Sequence, residues 1–166
     1  MKPTPVYRSA IAWILLLLGL LASAPGMAGS TSTTFGVTAT VTGTCSVSAG
    51  THAFGTYTGA QLDTTSTVSV TCTSLSAYTV ALDVGTGSGA SVTTRKMTGS
   101  SSGTLNYSLY QDTTRLVVWG TVAGLADVVG VGSGALQLLT VYGRIPSGQS
   151  PAAGSYTDTI TVTVAY

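Results

Sequence analysis

The chain is 166 residues long, a length that suits one domain behind a leader, and only 7% of its residues are charged. Six Lys and Arg stand against five Asp and no Glu, which argues against the clustered cations that hold nucleic acid or anionic membrane and against the paired carboxylates of glycoside hydrolysis. Solubility rests on Ser, Thr and Gly, a surface that repels its neighbours weakly and suits close association between copies of itself.

Residues 1–28 read as a signal peptide. Lys2 and Arg8 supply a positive start, Ala10 to Ala22 an apolar run, and Gly26-Met27-Ala28 the small residues of a cleavage site after Ala28. The run is too short for a membrane span, which needs about 18 consecutive apolar residues. The expected mature chain, from Gly29, is exported.

Residues 29–42 form an N-terminal arm. In it Phe35, Val37, Ala39 and Val41 alternate with Gly36, Thr38, Thr40 and Thr42, the period of a strand with one apolar face. Such a face must be buried against its own chain or another one.

The domain proper is expected over 43–166. Cys45 and Cys72 are the only cysteines, and in an oxidising compartment they read as one disulfide closing a loop of about 28 residues, worth roughly 3–4 kcal/mol by loop entropy. Two cysteines with the single His52 fall short of the four ligands of a structural zinc. No metal or other cofactor is expected.

Main strands are predicted near Gly43 to Ser48, Ser66 to Cys72, Ala77 to Val84, Thr104 to Tyr110, Leu138 to Arg144 and Tyr156 to Tyr166. Short accessory pieces lie around Phe54 and Trp119. Each main strand carries one alternating face, such as Val68, Val70 and Cys72, or Ile160, Val162, Val164 and Tyr166. Clusters of Gly, Ser and Pro, such as "VGTGSGAS" and "RIPSGQSPAAG", separate them. The pattern is that of an all-β sandwich with six main strands, one fewer than a constant-type immunoglobulin sandwich. The arm is a spare strand at the opposite end of the sequence.

Other residues have plain readings. His52 in a Thr- and Gly-rich stretch reads as a surface or edge residue, since no nucleophile elbow accompanies it. Arg95-Lys96 reads as a solvated strand edge that discourages wrong pairing. Asn106-Tyr107-Ser108 matches a glycosylation sequon by chance in a Ser- and Thr-rich chain. Tyr107 and Tyr142 read as core, and a sugar-stacking role for Trp119 and the tyrosines is the rival.

The arm "FGVTATV" before Cys45, Phe54-Gly55, "VTC" at Cys72, "LNYSLY" at 105–110, "WG" at 119–120, "VYGRIPSGQ" at 141–149 and the closing "GSYTDTITVTVAY", taken in this order and spacing, resemble the spore coat protein U domain. That family includes subunits of archaic chaperone-usher pili, and the resemblance spans essentially the whole mature chain. It implies an incomplete immunoglobulin-like sandwich whose missing strand is donated by another chain. Phe35, Val37, Ala39 and Val41 would be the donor side chains. Ile160, Val162, Val164 and Tyr166 would border the accepting groove. Partners would be a periplasmic chaperone docking along the same edge, an outer-membrane usher, and copies of itself or related pilins, with no nucleic acid or small-molecule substrate. The function implied is a structural subunit of a surface pilus with a role in adhesion or biofilm formation, reached through the periplasm, and no enzymatic activity. The alternatives are an arm that pairs with its own domain as a hairpin turning at Gly43, a non-polymerising secreted coat or matrix protein, and a surface-binding minor subunit.

Overall fold

A computed structural model of the protein describes residues 26–100, 103–121 and 127–166. The leader read over 1–28 therefore lies outside the described residues up to residue 25. The chain divides into two units, Met1–Ala39 and Thr40–Tyr166. In the first, residues 26–39 carry no regular secondary structure, and Phe35 and Val37 are 87% and 82% exposed.

Among the described residues the second unit has nine strands and no helix. They are β1 (Cys45–Ala49), β2 (Leu62–Cys72), β3 (Ala77–Leu82), β4 (Arg95–Gly99), β5 (Thr104–Tyr110), β6 (Val128–Val131), β7 (Leu136–Ile145), β8 (Tyr156–Thr157) and β9 (Val162–Ala165). One sheet has the order β1-β2-β7-β5-β4-β8 and the other β6-β3-β9. Every pairing is antiparallel.

Period-two alternation places the core. Val68, Val70 and Cys72 of β2, Tyr78, Val80 and Leu82 of β3, and Leu105, Tyr107 and Leu109 of β5 are all buried, because successive side chains point to opposite faces and these three runs keep one face apolar. Val141 and Ile145 of β7 complete that layer. Trp119 is wholly buried among them and donates its indole N–H to the Val80 carbonyl at 2.8 Å, so it is not available for stacking on a sugar. Cys45 and Cys72 are cross-strand partners joined by the disulfide, their Cα atoms 4.1 Å apart.

Four sequence expectations are revised. Arg95-Lys96 is not a solvated edge: Arg95 opens β4 and is fully buried. Its guanidinium donates to the carbonyls of Asp83 (2.8 Å), Val92 (3.0 Å), Leu82 (3.1 Å) and Trp119 (2.7 Å). The planar fork, with donors in fixed directions, satisfies loop carbonyls that the sheet ladders cannot reach. Val128–Val131, which the strand reading passed over, forms β6 and pairs with β3. Tyr142 is half-buried on the face opposite Val141, with the Arg115 guanidinium 5.7 Å from its ring centroid. The closing run from Tyr156 to Tyr166 divides between the sheets, β8 pairing with β4 and β9 with β3.

Candidate functional site: an open groove in the sandwich

β1 and β9 are outer strands of the two sheets, and the stretches adjoining them, 49–57 and 151–160, flank an opening in the sandwich. β1 shows what an outer position does to burial. Val47 lies opposite the fully buried Val70, yet it remains 39% exposed, since an edge strand has no neighbour on one side.

A groove of about 1050 Å³, which β1 meets only at Ala49, leads into the core. Its floor is the inner face of the large sheet, with Val68 from β2, Leu105, Tyr107 and Leu109 from β5, and Val141 and Ile145 from β7. Leu82 and Val162 contribute from the smaller sheet. The walls are two mostly irregular stretches, 49–57, which begins at the end of β1, and 151–160, which contains β8. The volume sits at the upper end of the roughly 300–1,000 Å³ typical of small-molecule sites, but its convergent groups are few. Among the described residues no three His, Cys, Asp or Glu side chains gather as metal ligands would.

The second wall is tied down where the chain crosses from one sheet to the other. Asp158 accepts from the Thr86 amide (2.7 Å), the Thr86 hydroxyl (2.8 Å), its neighbour Thr159 amide (2.8 Å) and the Tyr107 hydroxyl (2.7 Å). Asp83 accepts from the amides of Gly85 (3.0 Å) and Thr161 (2.9 Å). Burial raises the Asp158 pKa, and the donors from Tyr107 and Thr86 outweigh it, so the carboxyl stays below its ordinary value. Burial, then the bond to Asp158, pushes the Tyr107 phenol far above the usual value. Both groups hold fixed protonation states around neutrality and act as structural clamps.

The first wall is tied by Gly50, whose amide donates to the Thr67 carbonyl at 3.3 Å, by His52, and by Tyr57. Tyr57 donates to the Pro146 carbonyl at 2.8 Å and accepts from the Gln149 amide at 3.1 Å. Phe54 sets its ring edge-on to Tyr107, 5.8 Å between centroids, and so joins the wall to the floor.

The residues singled out in the sequence fall in different places. Ile160 and Val162 line the groove. Val164 packs on the core opposite Val80, and Tyr166 lies beyond the end of β9, 66% exposed. Phe35, Val37, Ala39 and Val41 are all exposed. Sequence reasoning missed the parts played by His52, Tyr57, Asp83 and Asp158, which lie in or beside irregular segments where no periodicity marks them. The turn-rich "RIPSGQSPAAG" was the one available signal, since it announces an irregular stretch between two strands.

The sequence matches the Spore Coat Protein U domain over residues 31–163. It is 35% identical to "Protein U" of Myxococcus xanthus across 96% of this chain and 98% of that protein. The fold is similar to a chain of the CsuC–CsuE chaperone and tip adhesion subunit pre-assembly complex from the archaic chaperone-usher Csu pili of Acinetobacter baumannii, with a TM-score of 0.57 and 25% identity, covering 76% of this chain and 40% of that one. An apolar core opened by a groove, with the family's sequence running from the arm to β9, makes this chain a member of the spore coat protein U domain family.

Proposed function

We propose that this protein is a structural subunit of a bacterial surface pilus, exported through the periplasm and assembled by exchange of its N-terminal arm. The observation that carries the reading is the groove of about 1050 Å³ in the sandwich, together with the exposure of Phe35, Val37 and Val41 in the N-terminal segment, 87%, 82% and 83%. The arm of one copy completes the next copy's sandwich. A periplasmic chaperone fills the groove beforehand, and an outer-membrane usher directs the replacement. The likeness to a chaperone and pilus subunit complex supports these partners.

The energetics favour a long-lived junction. Each larger apolar side chain moved from water into the groove contributes up to about 1.5–3 kcal/mol, an upper bound set by the extended reference state. Main-chain hydrogen bonds along β9 add roughly 0.5–1.5 kcal/mol each. The Thr residues on the arm's other face keep it soluble while it waits.

A fibre so built serves attachment or biofilm formation, a role that the tip adhesion subunit among the structural relatives supports. The second reading, a non-polymerising coat protein, is favoured by the match to "Protein U" along nearly its full length. Deleting Gly29 to Val41 separates the two. The pilus reading expects the truncated chain to cap fibres of intact subunits and shorten them, as seen by electron microscopy. Fibres of normal length grown from truncated chains alone would overturn it.

A further inference from the structure

The first wall of the groove is held by the chain's single histidine. His52 is half-buried, with Nδ1 2.7 Å from the Ser66 hydroxyl and Nε2 2.8 Å from the Thr64 hydroxyl, both on β2. Its ring meets Phe54 edge-on at 4.7 Å between centroids, and Phe54 in turn meets Tyr107 on the groove floor. Beneath it lies Gly143 of β7, where any Cβ would strike the His52 and Phe54 rings. His52 is thus the one side chain between Gly50 and Tyr57 that hydrogen-bonds the wall to the sheet among the described residues.

We infer that His52 is a proton-sensitive latch: neutral, it docks the wall of residues 49–57 onto the sheet, and charged in acid, it releases that wall and weakens the groove's hold on an inserted strand. The inference rests on the reading of the groove as a strand acceptor.

The charges around the ring make it so. Arg115 reaches the two strands beneath His52, its Nε donating to the Gly143 carbonyl at 3.2 Å and an Nη to the Thr64 carbonyl at 3.5 Å. The carboxylate nearest in sequence to those strands' contacts, Asp63 on β2, is occupied by Arg144 of β7 at 2.8 Å and Arg115 at 3.6 Å. Tyr107 of β5, beyond Phe54, is bound to Asp158 of the opposite wall. No free anion therefore awaits an imidazolium among these groups. The two hydroxyls can accept from both ring N–H groups, so the obstacle to protonation is burial and Arg115, in that order, which lower the His52 pKa from 6.5. A histidine with a depressed pKa in the docked state stabilises docking fully above its free value. That stabilisation is lost as pH falls through 6.5 toward the docked value.

The test uses the full mature chain refolded with a fluorescent peptide of sequence Thr33 to Val41, with peptide release followed at about pH 7.5 and about pH 5, on either side of the ordinary imidazole pKa. Release is expected to be several-fold faster in acid. His52→Gln, which keeps a donor and an acceptor but does not titrate, is expected to make the two rates equal. Acid acceleration that persists in His52→Gln overturns the latch. Should that variant fail to fold, the unaltered complex still decides: an NMR titration placing the His52 ring at or above its ordinary pKa, or amide exchange of residues 50–57 that shows no acid loosening relative to β5, overturns it as well. A peptide that binds at neither pH defeats the acceptor reading itself, an outcome distinct from binding with pH-independent release.

Discussion

Arg95 shows how much one buried side chain can organise. Four carbonyls from three separate stretches, Leu82 and Asp83, Val92, and Trp119, converge on one guanidinium. An aliphatic replacement leaves all four without this donor, the Leu82 and Trp119 carbonyls fully buried and those of Asp83 and Val92 partly so, and an unsatisfied buried group costs about 1–3 kcal/mol. Arg95→Met is therefore expected to destabilise the strand-complemented domain by about 3–5 kcal/mol. Arg95→Lys keeps the charge but loses the fork, and about 2–3 kcal/mol is expected. The midpoints of urea unfolding for the two variants against the parent check both the size and the order.

At the scale of elements, the strands that repeat a clean apolar alternation were legible in the sequence, and those that break it were not. β2, β3 and β5 each present β-branched, aromatic or Leu residues at period two, so both their existence and their buried faces could be read, whereas β7 carries apolar residues on both faces and Tyr142, expected in the core, lies on the face opposite Val141. β4 begins with Arg-Lys, which reads as solvent until four carbonyls are seen to need a donor. β6 is interrupted by Gly130, where any Cβ would meet the Tyr78 ring, and a glycine demanded by packing looks the same as one in a turn. The run from Tyr156 was read as continuous on the alternation of Ile160, Val162, Val164 and Tyr166, although Asp158, at an apolar position of that alternation, accepts from Thr86 where the chain leaves the first sheet. The disulfide was legible from composition and export alone. It closes 27 residues of separation across the β1–β2 ladder, and removing it by the pair Cys45→Ser and Cys72→Ser is expected to cost about 3–4 kcal/mol by the loop-entropy account. Thermal unfolding of oxidised and reduced protein, with β1 amide exchange as the local readout, checks that value and its location.

For the whole molecule, the proposed function joins two features, an open apolar groove in the sandwich and an exposed arm with one apolar face. Neither feature was marked by a catalytic motif, so the family resemblance and the alternation of Phe35, Val37, Ala39 and Val41 carried the sequence reading. The walls at 49–57 and 151–160 became visible only when the chain was folded. If the arm serves a neighbouring copy, Val37→Asp sends a carboxylate into an apolar groove without a partner. A penalty of a few kcal/mol lowers affinity by about a hundredfold or more, at about 1.4 kcal/mol per tenfold. The variant is expected to stop chain growth while its own unfolding midpoint, measured with the unaltered arm peptide bound, stays within about 0.5 kcal/mol of the parent. Competition between labelled arm peptides, with and without the Asp, measures the affinity directly.

The position of the disulfide has a mechanical meaning. Cys45 is the first residue of β1, directly after the short stretch that follows the arm, and it is bonded to the last residue of β2. In a fibre linked through arms, tension enters each subunit at that point. Without the bond the load would peel β1 from β2 one rung at a time, beginning at the Cys45 end, which is the weakest way to pull on a ladder. With it, the load passes through a covalent bridge into β2, the eleven-residue strand that pairs along nearly its whole length with β7.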